Sequence, residues 1–572
     1  DYVAEPGAGF DQLVAEKSDP EACCRLCQEA NRETPDRCAV VVLSSASDKP
    51  PHACWLKGGR KVRAVHKPGV TACWPKENEA LIPEDPSKLE ETEYKKHLAD
   101  LESLDYAQPP APGPESAPTD GDTRRQRAAA IRVAIKHSWD GYAKSAWGMD
   151  EVAPVNGRAV NKNFKHAVTM VDSLDTLWIV GLREEFHMAK NWLAANLPAK
   201  LKEMPRAASL FETGIRTLGG LLSAYDLSGE MVFLTLAKDL GTLINTKVPP
   251  NGVAPYTFGG GGGGAKCHSL AESGTLQLEM RYLSHVTGDP TFASKVDRFY
   301  ETLRSQASFD GMWPICWEKT GGKINFGANG DSFYEYLVKV WLQSGEQEEE
   351  LWEMYDKAVD GMEKHLVRKG PRDGLTYIHQ GMWDGHSSTL KIIEEMEHLV
   401  CFVPGWIALG AMSSKGEKTR EHRMHLAESV AYTCWQMYER QPTGIGPERV
   451  KNMGIDLKST DTREYILRPE AMEAWWYMSE LTGKPHYREW GWKAFEAFEK
   501  HLKVAHGYAS MKDVSSSKPT LIDRMESFWI AETLKYAYLL QDPDHKIKLD
   551  RYVLNTEAHP LSKFAFLKTQ SS

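Results

Sequence analysis

"ETGIRTLGGLLSAYDLSG", Glu212–Gly229, is the stretch whose reading decides the fold. An acid opens it, apolar residues recur at three- and four-residue spacing, and a glycine closes it. That is an amphipathic helix with a left-handed C-cap. The same plan returns in "SLDTLWIVGLREEFHMAKNWLAANL", "ESGTLQLEMRYLSHVTG", "DSFYEYLVKVWLQSG", "AMEAWWYMSELTG" and "ESFWIAETLKYAYLLQ". The opening acids are Asp175, Glu212, Glu272, Asp331, Glu397, Glu470 and Glu526, and most successive pairs stand some sixty positions apart. Such an interval holds two helices of about 11–20 residues each, with their loops. Seven hairpins closed in a ring give a mainly α fold, an (α/α)7 toroid with its acid-bearing helix N-termini on one rim. One acid at a helix start means little, because acids complement the dipole everywhere. The repetition at hairpin spacing carries the reading.

Outward from this core the texture changes twice. The helical pattern begins with "TRRQRAAAIRVAIKHSWDGYAKSAW" and runs over 124–568, leaving a tail at 569–572. Residues 76–123 read as a linker. "EDPSKLEETEYKKHLADLESL" suits one charged helix, and "AQPPAPGPESAPTDGD" has too little apolar content to bury a core. Residues 1–75 hold six of the ten cysteines: Cys23, Cys24, Cys27, Cys38, Cys54 and Cys73. That density reads as a disulfide framework from an oxidising compartment. A zinc site at Cys24 and Cys27 is the rival, but no second close pair or histidine pair follows at zinc spacing. "SDPEACCRLCQEA" reads as a short helix with Ser18 or Asp19 as N-cap and Pro20 at N1. "CAVVVLSS", "CWLKGG" and "GVTACW" read as strands.

The 572 residues are 41% hydrophobic, with 69 basic against 79 acidic side chains and a net charge of −10. No lysine-rich tract stands out, which excludes nucleic acid as the expected partner. No apolar run approaches the roughly 18 residues of a membrane span. There is no signal-peptide pattern at the start, so the expectation is either a cytosolic protein or one whose targeting segment is not in this chain. The aromatic share of 10%, with 18 tryptophans, suits a sugar-binding cleft as well as a core.

Several motifs carry chemistry. In "LFETGIRTLGG", Glu212 and Arg216 share one helical face among apolar neighbours, and a carboxyl in such company tends to hold its proton. That suits a general acid. "YILRPEAMEAWW" puts Pro469 at N1 and Glu470 at N2, where the dipole and Arg468 favour an ionised base. "NGDSFYEYLVKVW" sets Asp331 and Glu335 on consecutive turns. "MEHLVCFVPG" offers Glu397, His398 and Cys401, and "MESFWIAETLKY" offers Glu526, Phe528 and Glu532. No HExxH, GxSxG or P-loop lysine occurs. "FGGGGGGAKCH" reads as a loop, not a phosphate cradle. Near the end, "VLNTEAHPLS" sets Asn555, Thr556, Glu557 and His559 among apolar residues, oddly polar for a terminus. Many carboxylates, many aromatics and no nucleophilic serine or cysteine constellation point to glycoside hydrolysis by two carboxylates.

The segments "MVDSLDTLWI", "FETGIRTLGGLLSAY", "SLAESGTLQLE", "DSFYEYLVK", "EHLVCFVPG", "LRPEAMEA", "ESFWIAETLKY" and "VLNTEAHPL" resemble, in order, the class I α-mannosidases of glycoside hydrolase family forty-seven. The resemblance implies an (α/α)7 barrel plugged by a C-terminal β-hairpin. It implies an inverting exo-hydrolase that removes terminal α1,2-linked mannose from oligomannose N-glycans, with one calcium ion deep in the barrel. It gives Glu212 the role of acid, Glu470 that of base, and Asp331 that of a third carboxylate. Arg216, His398, Arg468 and Phe528 match sugar-contact or orienting positions. Thr556 matches the residue that gives calcium its hydroxyl and carbonyl. Glu272, Glu473, Glu526, Glu532 and Glu557 match the holders of the ion's waters, and Glu473 and Glu532 also the sugar contacts. Asn329 stands where relatives carry Arg or Leu, a position tied to branch choice, so branch preference is left open.

Cys401 and Cys434 match the family's core disulfide. Cys267 and Cys316 are left as candidates to pair with each other. Residues 1–75 resemble a PAN/apple domain, a small disulfide-rich α+β module. That likeness implies the pairs Cys23–Cys73, Cys24–Cys54 and Cys27–Cys38; whether the module binds a protein or glycan ligand or is a disulfide-stapled spacer is left open. The whole then reads as a monomeric enzyme of the Golgi or endoplasmic reticulum lumen, a type II membrane protein whose anchor is missing from this chain. The alternatives are a degradation-type relative acting on misfolded glycoproteins, and a catalytically silent glycan-binding protein.

Overall fold

The computed structural model describes residues 11–16, 40–44, 53–57, 70–73, 120–161, 164–260, 267–371, 373–451 and 462–564. The chain divides into two compact units, Asp1–Asp105 and Tyr106–Ser572. In the first, strands β1 (Asp11–Glu16), β2 (Val40–Ser44), β3 (Ala53–Lys57) and β4 (Val70–Cys73) form one antiparallel sheet in the order β1-β3-β2-β4. Three of the four coincide with strands read from the sequence. The helix expected at 18–30 and the three N-terminal cysteine pairs lie outside the described residues, as does most of the glycine run.

The second unit is mainly helical. Among its described residues, seven outer helices alternate along the chain with seven inner ones. The outer set is Gly121–Ser145, Arg183–Lys202, Met231–Lys247, Thr291–Arg304, Glu349–Leu366, Arg420–Glu439 and His486–His501. These bury one stripe, as Thr291–Arg304 does with Phe292, Val296, Phe299 and Leu303. The inner helices are buried on every face over most of their length, which is the pattern of a core helix, and emerge mainly toward C-terminal ends such as His285–Thr287. Every residue of Val403–Ala411 is buried, and every residue of Asp331–Gln343 except Asp331.

The inner helices close on themselves. Leu174–Ile179 packs on Gly219–Ser228, then come Gln277–Thr287, Asp331–Gln343, Val403–Ala411, Glu470–Thr482 and Leu534–Gln541. The turn Trp529–Thr533 that leads into the last of these returns to Leu174–Ile179. This is the arrangement of an α/α barrel.

Three local readings are corrected. "SLDTLWIVGLREEFHMAKNWLAANL" is not one helix, because Gly181 takes φ +75° and separates Leu174–Ile179 from Arg183–Lys202. Pro469 is the N-cap and Glu470 is N1, one position earlier than expected. Ile547 and Leu549 do not belong to a strand. The carbonyl of Lys548 accepts from the amides of Arg551 and Tyr552, which makes a turn, and the strand begins at Tyr552.

The hairpin Tyr552–Leu554 with Pro560–Ser562 packs on Gly219–Ser228 and Asp331–Gln343. Asn555 builds its tip. Its Oδ1 accepts from the amides of Glu557 (2.9 Å) and His559 (2.8 Å). Its Nδ2 donates to the Ile215 carbonyl (2.9 Å) and to Glu279 Oε1 (2.7 Å). His559 is wholly buried, 3.1 Å from Asp172 and 2.8 Å from Asp175, and Lys535 joins Asp175 at 2.9 Å. Asp175 therefore serves the hairpin.

The glycine pair of "TLGG" makes this approach possible. A Cβ on Gly219 would stand 2.6 Å from Asn555 Nδ2 and 2.9 Å from the His559 ring. Gly219→Ala is expected to lose about 1–3 kcal/mol of stability by overpacking. Chemical denaturation at fixed calcium measures it, and an unchanged midpoint would show that the hairpin has slack.

Two disulfides pin the barrel. Cys401–Cys434 joins the start of an inner helix to an outer one with Cα atoms 5.9 Å apart, as the resemblance implies. Cys267 and Cys316 do pair, at 5.5 Å. Among the described residues no helix is long and apolar enough to cross a membrane.

Candidate active site

Inside the ring of inner helices lies a cavity of about 250 Å³. Its lining brings together Glu212, Arg216, Glu272, Asn329, Asp331, Arg468, Glu470, Phe528, Glu532, Thr556 and Glu557. These positions come from nearly every inner hairpin of the ring. His398, Glu473 and Glu526 are not in the lining.

Local sequence explains how each side chain is presented. Ser209 and Ser269 are N-caps whose Oγ atoms accept from the amides of Glu212 (3.2 Å) and Glu272 (3.1 Å). Ser-x-x-Glu is a capping signature, so these two helix starts were legible beforehand. The helix after Glu212 is then wound as a π-turn over Thr213–Leu218, and a second π-turn spans Trp529–Thr533. Such turns are costly and concentrate at functional sites. Here they carry Arg216 and Glu532. Leu467, before the Arg468–Pro469–Glu470 corner, holds φ +72°, a strained value for a branched residue. Its carbonyl accepts from the Thr533 hydroxyl at 2.6 Å, which secures the corner.

Glu470 is buried, and burial pushes its carboxyl up. The His398 hydrogen bond and the Arg468 charge outweigh this and hold it below the usual carboxylate range. His398 Nδ1 lies 2.7 Å from Glu470 Oε2, and Nε2 lies 2.7 Å from the Tyr438 hydroxyl. With Glu470 ionised, Nδ1–H donates to it, and Nε2 accepts from the tyrosine. Arg468 Nη1 stands 3.7 Å from Glu470, while its Nε donates to Glu448 Oε2 at 2.6 Å.

Asp331 is the opposite case. It is half-buried and lines the cavity. Desolvation by the surrounding protein pushes it up to about 8, the Ser332 amide opposes this at 2.8 Å, and the charges of Glu335, Glu397 and Glu470 add to the rise. It therefore carries a proton at neutral pH. Glu212 Oε2 accepts from Arg216 Nε at 2.7 Å. The same guanidinium donates to Ser527 Oγ (2.8 Å), pairs with Glu557 (2.9 Å) and lies over the Phe528 ring at 5.4 Å.

Toward the hairpin the carboxylates crowd. Burial and the Glu557 and Glu473 charges push Glu532 well above its ordinary value. Burial does the same to Glu557, with Arg216 opposing and Asp172 adding. Glu272 is pushed up to about 7 by burial, against the Ser269 bond and with the nearby Glu212 charge. Glu473 stands behind this group, 3.6 Å from Lys339, which also pairs with Glu335 at 2.5 Å. Glu526 pairs with Arg524. Among the described residues, no three His, Cys, Asp or Glu side chains converge as direct metal ligands.

Ser527, Asp172, Glu448, Tyr438 and Lys339 escaped sequence reading. The first four lie on different elements from the residues they support, with nothing within a turn or two to mark the role. Lys339 stands one turn after Glu335, a spacing that marks that pair but not its reach to Glu473.

The comparisons with known proteins agree with this picture. Residues 134–563 match the family described as Glycosyl hydrolase family 47. The chain is 39% identical over 486 residues to human mannosyl-oligosaccharide 1,2-alpha-mannosidase IB, covering 79% of this chain and 73% of that protein. It is 40% identical over 453 residues to mannosyl-oligosaccharide 1,2-alpha-mannosidase MNS1 of Arabidopsis thaliana, covering 76% and 79%. The mouse endoplasmic reticulum mannosyl-oligosaccharide 1,2-alpha-mannosidase is 36% identical over 511 residues, covering 84% and 74%. The solved alpha-1,2-mannosidase from Trichoderma reesei superposes with a TM-score of 0.68 at 26% identity, over 77% of this chain and 99% of that one. On these matches the chain belongs to glycosyl hydrolase family 47.

Proposed function

We propose that this glycoside hydrolase is an inverting exo-α1,2-mannosidase that trims terminal α1,2-linked mannose from oligomannose N-glycans in the secretory pathway. The observation that carries the reading is one small cavity faced by two carboxyls of opposite state. Glu470 is held ionised by His398 and Arg468, and Asp331 is held protonated by desolvation. Two such groups are what acid–base hydrolysis of a glycoside needs.

Glu470 takes a proton from a water as that water attacks the anomeric carbon. A protonated carboxyl gives its proton to the glycosidic oxygen as the carbon–oxygen bond breaks. The resemblance assigns that second role to Glu212. The structure supplies a reason to prefer Asp331, which keeps its proton at neutral pH. Arg216 and Phe528 orient the ring, and Asn329, exposed on the rim with φ +72°, meets the rest of the glycan. The hairpin Tyr552–Ser562 is read as the plug that closes the barrel behind the cavity.

The donor set also fits calcium, a hard cation that takes 6–8 oxygens. Thr556 would offer hydroxyl and carbonyl, and Glu272, Glu473, Glu526, Glu532 and Glu557 would hold the waters around it. Buried carboxyls crowd here: burial raises Glu532 and Glu557, the charges of Glu557 and Glu473 add to the first, and those of Asp172 and Glu212 add to the second, which is what like charges do where a counter-cation belongs. When bound, the ion would supply a positive charge at the floor of the cavity that orients and polarises the hydroxyls of the terminal sugar. Calcium is expected to raise the melting temperature, by about 2.7 kcal/mol of stabilisation at a free concentration a hundredfold above its Kd. Differential scanning calorimetry with and without chelator reads this, and identical transitions would remove the ion from the proposal.

The four-stranded N-terminal sheet, with Cys54 on β3 and Cys73 on β4, is compatible with a PAN/apple-like module.

The test of function is a timed digest of an oligomannose glycan with isomers resolved, followed by proton NMR of the nascent sugar. Inversion gives β-mannose first. A retaining enzyme needs its carboxyls ~5–5.5 Å apart, whereas an inverting one leaves ~6.5–9.5 Å for the water. An initial α-anomer, or no mannose released, would overturn the assignment.

A further inference from the structure

The short strand Glu395–Glu397 pairs with Arg449–Lys451, setting Glu397 opposite Arg449. Glu397 is buried, and its carboxylate is fully engaged. Oε2 accepts from Asn325 Nδ2 at 3.0 Å and from the Ala328 amide at 2.7 Å, and Oε1 accepts from Arg449 Nη2 at 3.3 Å. A buried carboxylate is tolerated only when so many donors meet it.

The loop between Asn325 and Asp331 is wrapped on this group. Asn325 Oδ1 accepts from the Gly327 amide at 2.9 Å, and its Nδ2 also donates to the Ala328 carbonyl at 3.2 Å. The Gly327 carbonyl accepts from the amides of Gly330 (3.1 Å) and Asp331 (3.0 Å). A Cβ on Gly327 would stand 2.2 Å from Glu397 Oε2, and one on Gly330 would stand 2.0 Å from the Asn325 carbonyl. The loop delivers Asn329 to the rim and Asp331 to the cavity.

The same strand pair reaches the other side of the cavity. His398 follows Glu397 and holds Glu470, while Glu448 precedes Arg449 and holds Arg468. The His398 amide donates to the Glu448 carbonyl at 2.9 Å, so the two arms are tied together.

We propose that Glu397 is a positioning residue: with Arg449 it braces the Asn325–Gly330 loop, and so sets where Asp331 and the Asn329 rim stand relative to Glu470. The proposal rests on the reading that Asp331 and Glu470 do the chemistry. Neither Glu397 nor Arg449 lines the cavity, so they act through the loop.

The test uses Glu397→Gln and Asn325→Ala in the full chain, with three readouts. These are hydrogen exchange at the Gly327–Ser332 amides, kcat and KM on α1,2-mannobiose, and the order of isomers released from an oligomannose glycan. Glu397→Gln keeps the shape but turns an N–H₂ toward the donors of Ala328 or Arg449. It is expected to speed exchange at those amides and to lower kcat at least about tenfold, since a misplacement of about 1 Å can cost a hundredfold. KM on the disaccharide should stay within about threefold, and the isomer order should change. Asn325→Ala should do the same more weakly, and it carries the test if the first variant does not fold. Wild-type exchange in both variants overturns the brace. Faster exchange with unchanged kcat and isomer order overturns the positioning role and leaves a structural one. A fully active Asp331→Asn would overturn the functional reading instead, and the exchange result would stand apart from it.

Discussion

Glu470→Gln turns over oligomannose at least about a hundredfold more slowly than the wild type, because general-base catalysis contributes ~10²–10⁴. The amide has the size of the carboxylate but cannot take a proton from water. Binding should persist. Arg216, Phe528 and the Asn329 rim, which line the cavity, are untouched. His398 still has the Tyr438 hydroxyl on its far nitrogen, 2.7 Å away, so the imidazole stays in place. Titration calorimetry with a slowly turned-over glycan measures affinity, and stopped assays measure turnover. A variant with near-normal turnover would move the base to another carboxylate. A variant that lost binding and turnover together would make Glu470 a ligand contact instead.

The second large effect separates the two candidate acids. Asp331 is pushed up to about 8 in the folded protein, well above an ordinary aspartate. A carboxyl raised in this way is protonated below its pKa and loses the proton as pH rises through it. If it supplies the proton, kcat/KM falls along an alkaline limb centred near that value, because kcat/KM reports the groups of the free enzyme. Glu470, held low, has its limb on the acid side, where protonation removes the base. The expected profile is a bell with a broad neutral plateau. Asp331→Asn should cut kcat by ~10²–10⁴ and erase the alkaline limb. Glu212→Gln should lower activity through the lost Arg216 pair and keep the limb. The reverse result, with the limb vanishing in Glu212→Gln, would return the acid's role to Glu212. Rates from pH 5 to 9 in both variants decide it.

Much of this was legible in the sequence. The inner helices and several of their glycine stops are written in patterns a few residues long. Not every acid opens an inner helix, however: Glu397 ends a strand, and Glu272 lies in the separate turn Leu270–Gly274. The capping serines at 209 and 269 are legible too, in their Ser-x-x-Glu spacing. The "TLGG" pair signalled a close approach without saying what approached. The polar knot at 555–559 signalled a tie-down without naming its partners, which are Ile215, Glu279, Asp172 and Asp175.

Other features could not be read. Glu397 and His398 look alike in the sequence, two polar residues before an apolar helix, yet one serves the Asp331 loop and the other serves Glu470. Glu212, Asp331 and Glu470 are three acids at three helix starts. Nothing in their neighbours along the chain says that one is held ionised and another protonated.

By itself, then, the sequence determined the helical hairpins, their repeat, the family and the set of carboxylates. Helix propensity, capping and amphipathic period act between residues three or four apart, so local order suffices to read them. Only the tertiary structure decided which carboxyl keeps its proton, which histidine holds which acid, and how the last hairpin seats among the inner helices. Those outcomes depend on burial and on charges brought together from far along the chain: 72 residues between His398 and Glu470, and 340 between Asn555 and Ile215. Electrostatics and desolvation act across space, and the ring has to close before they exist.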